Sequence, residues 1–179
     1  MSNVLWITGL SAAGKTTIAE LLSEELRLIG RKVVLLDGDS LREIFDFKQS
    51  NTRDERLANA YKFGGLARLI ASQGVTVIIA TIGLYSEIHE WNRVNQPGFF
   101  QIYLKVDLTE LQRRDPKGIY ARYNSGKIRN VAGLDIKIDE PEKPDIVIKN
   151  QNEVNPRKAV EMILNSFWQK YEKNGELKI

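Results

Sequence analysis

Short runs of apolar, mostly β-branched residues recur along the chain at 4–8, 33–36, 75–81, 99–106 and 146–148, and they predict strands. Between and after them, stretches 15–28, 54–72, 86–93, 108–113 and 156–171 carry patterns compatible with helices. The last of these places Val160, Ile163, Leu164 and Phe167 at i, i+3, i+4 and i+7, an apolar stripe along one helical face. Runs such as Val77-Ile78-Ile79-Ala80 lack the polar alternation of a half-exposed strand, which predicts a sheet covered on both sides. Alternating strands and helices with right-handed crossovers predict an α/β fold: a doubly wound, mainly parallel five-stranded sheet with helices on both faces. Ligands bind such sheets beyond the carboxyl ends of the strands, so the residues after Thr8, Leu36, Thr81 and Val106 are where chemistry is expected.

Length and composition narrow the class. A chain of 179 residues, 42% hydrophobic and 27% charged, fits one domain over 1–179 whose core needs neither disulfide nor metal. With no cysteine, thiolate nucleophiles, disulfides and cysteine metal sites are excluded. No repeat or Pro/Gly/Ser-rich linker divides the chain. A formal net charge of +3 is too small to argue for bulk binding to nucleic acid or a membrane, so neither partner is expected. The longest mainly apolar stretch, 75–85, falls far short of the roughly 20 residues a membrane span needs and reads as a buried strand. The first residues lack a basic leader region, and a cytoplasmic location is expected. Charge is clustered all the same. Between residues 113 and 133, Arg113, Arg114, Lys117, Arg122, Lys127 and Arg129 face Asp115 alone. The segment is either a solvated surface loop with a short helix or a mobile cationic lid over an anionic ligand, hinged at Gly118, Gly126 and Gly133.

The stretch Gly9-Leu10-Ser11-Ala12-Ala13-Gly14-Lys15-Thr16 matches G-x-x-x-x-G-K-[ST], directly after a predicted strand and directly before a predicted helix. That context makes a chance glycine-rich turn the weaker reading. Glycines let backbone N–H groups turn inward around phosphate oxygens, and the helix opening at Lys15 adds the positive end of its dipole. Lys15 is expected at the β- and γ-phosphates, and the Thr16 hydroxyl on Mg²⁺. The chain lacks the guanine-reading, transporter-signature and motor-type motifs of other nucleotide-hydrolysing classes, which leaves small-molecule and nucleotide kinases. A second site follows the second strand, where Asp37 and Asp39 flank Gly38. One carboxylate could hold Mg²⁺ or its waters and the other could orient and deprotonate an attacking hydroxyl, with Asp39 favoured as the base. The same residues also suit a tight turn and helix cap.

These features together resemble the adenylylsulfate kinase family, P-loop enzymes that phosphorylate the ribose 3′-hydroxyl of adenosine 5′-phosphosulfate with MgATP. The resemblance spans nearly the whole chain. It rests on Trp6-Ile7-Thr8-Gly9-Leu10-Ser11 with the P-loop, Leu36-Asp37-Gly38-Asp39 with Arg42, Arg56 with Asn59, Val106-Asp107, and Arg114-Asp115-Pro116-Lys117-Gly118-Ile119-Tyr120. Asn130, Gly133 and Asp135, then Glu140-Pro141-Glu142-Lys143-Pro144, match the family's lid and the segment after it. The resemblance implies ATP and Mg²⁺ as cofactors. It places ATP against Gly9, Ser11, Ala12, Ala13, Gly14, Lys15, Thr16, Thr17 and Arg114, with the metal at Thr16 and Asp37. It places the acceptor nucleotide against Asp39, Arg42, Arg56, Asn59, Ile82, Lys117 and Val131, and it implies a homodimer. Arg56 and Asn59, three apart, fall on one face of a predicted helix.

The departures fall on the acceptor side. The family usually clamps the acceptor's adenine between two phenylalanines; those positions are Asn51 and Val131 here. Aromatic stacking on a base is worth roughly 1–3 kcal/mol, so the adenine clamp is weakened. The family's Phe-Ile-Ser-Pro after the third strand reads Thr81-Ile82-Gly83-Leu84, followed by Tyr85. Retained transfer chemistry with altered recognition is the pattern of a 3′-kinase that reads another base or another 5′-substituent. Some members of this family phosphorylate cytidine 5′-diphosphoramidate in capsule biosynthesis, and that acceptor stands level with or slightly ahead of adenylylsulfate.

Competing readings explain less. A catalytically dead phosphate-binding scaffold would not need Lys15, Thr16, Asp37 and Asp39 together, and a nucleic-acid module would need a continuous basic stripe with stacking aromatics. A gluconate or shikimate kinase would not need Asp37 and Asp39 with Arg42, Arg56 and Asn59 at these spacings. The single histidine, His89, has no second histidine at i+4 and reads as helix surface rather than a metal ligand. Trp6 reads as core, Trp91 and Trp168 as core or helix packing, and Tyr120 and Tyr123 as lid packing ahead of contact with a base.

Overall fold

The computed structural model describes residues 2–47, 52–151 and 155–173. Five parallel strands, β1 (Val4–Thr8), β2 (Val33–Asp37), β3 (Thr76–Thr81), β4 (Phe99–Lys105) and β5 (Ile146–Lys149), form one sheet in the order β2-β3-β1-β4-β5. β1 pairs with β3 on one side and β4 on the other, with Thr8 level with Thr81 and Tyr103. The order reverses at β1, so the crevice beyond its carboxyl end is the natural ligand site of the sheet.

Burial explains the strand pattern. Every residue of β1 and β3 is buried, whereas the edge strand β2 is half-buried throughout and β5 has exposed residues. The uninterrupted apolar runs are the central strands, sandwiched by helices on both faces. On one face, Leu5, Ile7, Ile78, Phe100 and Ile102 pack against α1 (Lys15–Leu28) and α7 (Pro156–Lys173), with Val160, Ile163 and Phe167 fully or nearly fully buried. On the other, Val4, Trp6, Val77 and Ile79 pack against α2 (Gly38–Ile44), α3 (Arg53–Ala71) and α4 (Ser86–Asn95). α5 (Leu108–Arg114) and α6 (Ile119–Asn124) follow β4 and carry the basic segment.

All five predicted strands and all five predicted helices are present, with ends moved by a few residues at most. The short helices α2 and α6 are additions. α2 begins within Asp-Gly-Asp: Asp37 stands in extended geometry as its N-cap and its carboxylate accepts from the Asp39 and Ser40 amides. α3 starts with a reciprocal cap, Thr52 accepting from the Glu55 amide while the Glu55 carboxylate accepts from the Thr52 amide. Two expectations about single residues divide. Trp6 is wholly buried as read, but His89 is not helix surface: it is 8% exposed and its ring bonds the Gly83 carbonyl.

Candidate active site at the carboxyl edge of the sheet

The loop joining β1 to α1 holds its shape through backbone packing. Gly14 takes φ 90°, a left-handed conformation that favours glycine, and caps α1 without a side chain. A Cβ on Gly9 would lie 2.7 Å from the Leu104 carbonyl, so the chain passes too close to β4 for any side chain there. The Lys15 ammonium folds back onto the Leu10 carbonyl at 2.8 Å. Burial, reinforced by nearby Lys117, lowers its pKa to about 7.

Beside the loop, the Thr16 hydroxyl donates to the Asp37 carboxylate at 2.9 Å. The other Asp37 oxygen caps α2, so the cap and the functional reading of this carboxylate hold at once. Two hard oxygen donors side by side suit Mg²⁺, which keeps waters and shares its shell with substrate phosphates rather than sitting in a protein cage. Among the described residues, no group of three or more His, Cys, Asp or Glu gathers to hold a metal alone. Asp39, in the first turn of α2, is paired by Arg42 from its own helix and by Lys117 from the basic segment.

These residues open onto a cleft of about 830 Å³. Its walls include Ser11, Ala12, Gly14, Lys15, Thr16, Thr17, Asp37, Asp39, Arg42, Arg56, Asn59, Ile82, Arg114, Lys117 and Val131. The structure therefore brings together all but two of the expected site residues. Gly9 and Ala13 are absent from the walls: Ala13 is 1% exposed, and both serve to pack the loop from behind. Asn51 lies outside the described residues. Val131 is 7% exposed and joins the core, so it offers the cleft a small aliphatic surface.

The basic segment closes over this cleft and makes the lid reading the better one. Lys117 pairs with Asp39, Arg56 on α3 donates to the Asn130 carbonyl at 2.8 Å, and the Tyr120 hydroxyl donates to the Ser11 carbonyl at 3.0 Å. Tyr120 is 1% exposed and packs in the core, as its lid-packing reading requires. Arg114 is shared between Glu110 and the Asn150 carbonyl, and Asn150 in turn donates to the Ala13 carbonyl at 3.0 Å, tying the base of the lid to the phosphate loop. The walls carry eight cationic side chains against Asp37 and Asp39, so the cleft attracts polyanions. Burial, and after it the neighbouring Arg56, lower the Arg42 pKa.

Sequence reasoning missed three contributors. Arg53 donates to both oxygens of Glu87 and to Asp139, tying the start of α3 to the start of α4 and to the segment after the lid. The Arg53 guanidinium holds the Glu87 carboxyl down to about 2. Tyr85 lines the cleft and, like the already expected Arg56, carries a buried polar atom without a partner among the described residues, the phenol oxygen in one and Nε in the other. His89 holds the loop after β3 from the opposite side to its sequence reading. The Arg53 and His89 contacts have no local signal, because each partner lies at least six residues away.

The family model for adenylylsulphate kinase matches residues 1–149. The chain belongs to the adenylylsulphate kinase family. It is accordingly a kinase, a phosphotransferase of the nucleotide 3′-kinase class that uses ATP with Mg²⁺. The cytidine diphosphoramidate kinase of Campylobacter jejuni is 39% identical over 164 residues, covering 92% of this chain and 95% of that one. The adenylyl-sulfate kinase of Bacillus velezensis is 36% identical over 171 residues, covering 93% and 87%. Among solved structures, the APS kinase CysC of Mycobacterium tuberculosis in complex with AMPPNP and APS superposes with a TM-score of 0.81 at 26% identity, over 92% of this chain and 96% of that one. Among the described residues, no helix is long and apolar enough to cross a membrane.

Proposed function

We propose that this kinase transfers the γ-phosphoryl group of ATP to the ribose 3′-hydroxyl of a 5′-modified nucleotide, and that the nucleotide is cytidine 5′-diphosphoramidate. The observation that carries the reading is the placement of Asp39 between the phosphate loop and the Arg42, Arg56 and Asn59 wall of one cleft. The phosphate loop takes the donor, with Lys15 leaving the Leu10 carbonyl for the β- and γ-phosphate oxygens. Thr16 and Asp37 would hold Mg²⁺, which would supply charge neutralisation to the transferred group. Arg42 and Arg56 offer planar forks to the acceptor's 5′ phosphoryl oxygens, and Asn59 reaches its ribose. An incoming polyanion draws both Lys117 and Arg42 away from Asp39. The freed carboxylate then accepts the proton of the 3′-hydroxyl as that oxygen bonds to the γ-phosphorus and the bond to the ADP oxygen breaks.

The choice of acceptor is supported from the other wall. Val131 supplies no ring to stack on a purine, and Gly83 supplies no hydroxyl. The 39% identity to a cytidine diphosphoramidate kinase agrees with that reading, while relatives at 36% identity include an adenylyl-sulfate kinase, which makes adenosine 5′-phosphosulfate the rival acceptor. An ADP-release assay with MgATP and each nucleotide in turn tests this, with phosphorus NMR locating the new phosphate. A higher kcat/KM for the cytidine compound is expected. Preference for the sulfate would place the enzyme in sulfate activation, and transfer to neither would overturn the acceptor class.

A further inference from the structure

The loop after β3 is held by its carbonyls. Three successive carbonyl oxygens each accept a hydrogen bond from a different part of the scaffold: Ile82 from the Thr8 hydroxyl at the end of β1, Gly83 from the His89 ring on α4 at 2.7 Å, and Leu84 from the Asp139 amide at 2.9 Å. Ile82 and Gly83 line the cleft, whereas His89 does not. Because a carbonyl only accepts, Nε2 of His89 carries the proton in this contact. The ring is 8% exposed, and burial lowers its pKa against the opposing pull of the Gly83 carbonyl, Asp139 and Glu87. Gly83 takes φ 45°, and a Cβ there would lie 3.2 Å from the Trp6 ring. The residue has no side chain of its own, its positive φ would strain any other residue, and its orientation depends on where its carbonyl is tied.

We propose that His89 is a positioning residue for acceptor binding: by donating Nε2–H to the Gly83 carbonyl it fixes the Ile82–Gly83 wall against which the acceptor nucleotide is held. The proposal rests on the functional reading above in taking this wall as the acceptor side. His89 touches neither substrate; it acts through the backbone, and the donor site at Lys15 and Thr16 is built without it. A buried carbonyl that loses its donor is left unsatisfied, and the wall shifts to recover a partner.

The test is steady-state kinetics of His89→Phe and His89→Gln in the full chain, with MgATP and each of the two nucleotides. His89→Phe keeps a planar ring without the N–H, and it is expected to raise the acceptor KM about tenfold while leaving the KM for ATP within about twofold. His89→Gln places an amide N–H near the position of Nε2 and is expected to restore most of the acceptor affinity. Equal changes in both KM values, no change in either, or a glutamine variant no better than phenylalanine would overturn the proposal. Should the phenylalanine variant fail to fold, nitrogen NMR of the wild-type imidazole decides. An Nε2–H tautomer whose resonance moves with acceptor but not with a non-hydrolysable ATP analogue supports the proposal, and a ring protonated on Nδ1, or one indifferent to acceptor, overturns it. Wild-type protein that phosphorylates neither nucleotide would defeat the functional reading instead, and the anchor is then judged by the tautomer alone.

Discussion

The donor side and the acceptor side of the cleft are built in different ways. The side proposed for the donor comes from one stretch of chain, Ser11 to Thr17, with Asp37 leaning in from the end of β2. The acceptor side is assembled from α2, α3, the loop after β3 and the lid, so that Arg42, Asn59, Ile82 and Val131 meet only in the folded molecule. A triphosphate is the same in every such enzyme, and a local cradle suffices for it. The acceptor is what distinguishes one kinase from another, and its wall is assembled from elements other than the phosphate loop.

The largest effect should come where the two sides meet. Lys15→Ala and Asp39→Asn are each expected to lower kcat by about 10²-fold or more with a normal thermal melt, and an active Asp39→Asn enzyme would remove the base assignment. Next, Arg56→Ala should raise the acceptor KM by about 10- to 100-fold, since hydrogen bonds to charged groups contribute about 1.5–3 kcal/mol, while the KM for ATP stays near that of the wild type. A matching rise for ATP would break the division between the sides.

A subtler signature belongs to the donor side alone. The Lys15 pKa of about 7 in the unliganded cleft should rise toward its ordinary value against phosphate oxygens. At pH 8 the free lysine is mostly neutral, so nucleotide binding should take up a proton. Near pH 6 it is already charged, so that uptake should fade. Titration calorimetry in buffers of different ionisation enthalpy measures this, and Lys15→Ala should abolish the difference.

The smallest effect is expected at the Arg53 junction. Arg53 and Glu87 are partly exposed, so solvent screening limits the pair to about 1 kcal/mol or less. The Glu87 pKa is depressed, so the stabilisation is fully present above the ordinary carboxylate range and is lost as pH falls through about 2. Denaturant melts of Arg53→Ala and wild type should accordingly differ near neutral pH and converge in acid. Any change in kinetics should touch the acceptor KM, because Arg53 and Arg56 share the first turn of α3.

Adjacent residues determine what can be read directly from the chain. The alternation of apolar runs predicted every strand and every long helix, and the Gly9 to Thr16 spacing with Asp37 and Asp39 pointed to residues that line one cleft. These signals are local: a hydrogen-bonded turn, a helix face or a phosphate loop depends on residues within a few positions of one another. α2 escaped because Asp37-Gly38-Asp39 satisfies the rules for a turn, and only its packing through Leu41 against the β3 face carries the chain on into a helix. His89 escaped for the same reason on a larger scale. A lone polar residue on a helix is ordinarily solvated, and it is buried here because β3 delivers the Gly83 carbonyl to it.

Family, fold and reaction class were thus determined by the order of residues along the chain, since each depends on short-range geometry that the residues themselves dictate. The closure of the lid onto Asp39 and Arg56, the Arg53 junction and the tethered Ile82–Gly83 wall were decided by tertiary structure. Each joins groups dozens of positions apart or on separate elements, and the free energy that aligns them comes from burying the two faces of the sheet rather than from any property of the joined residues.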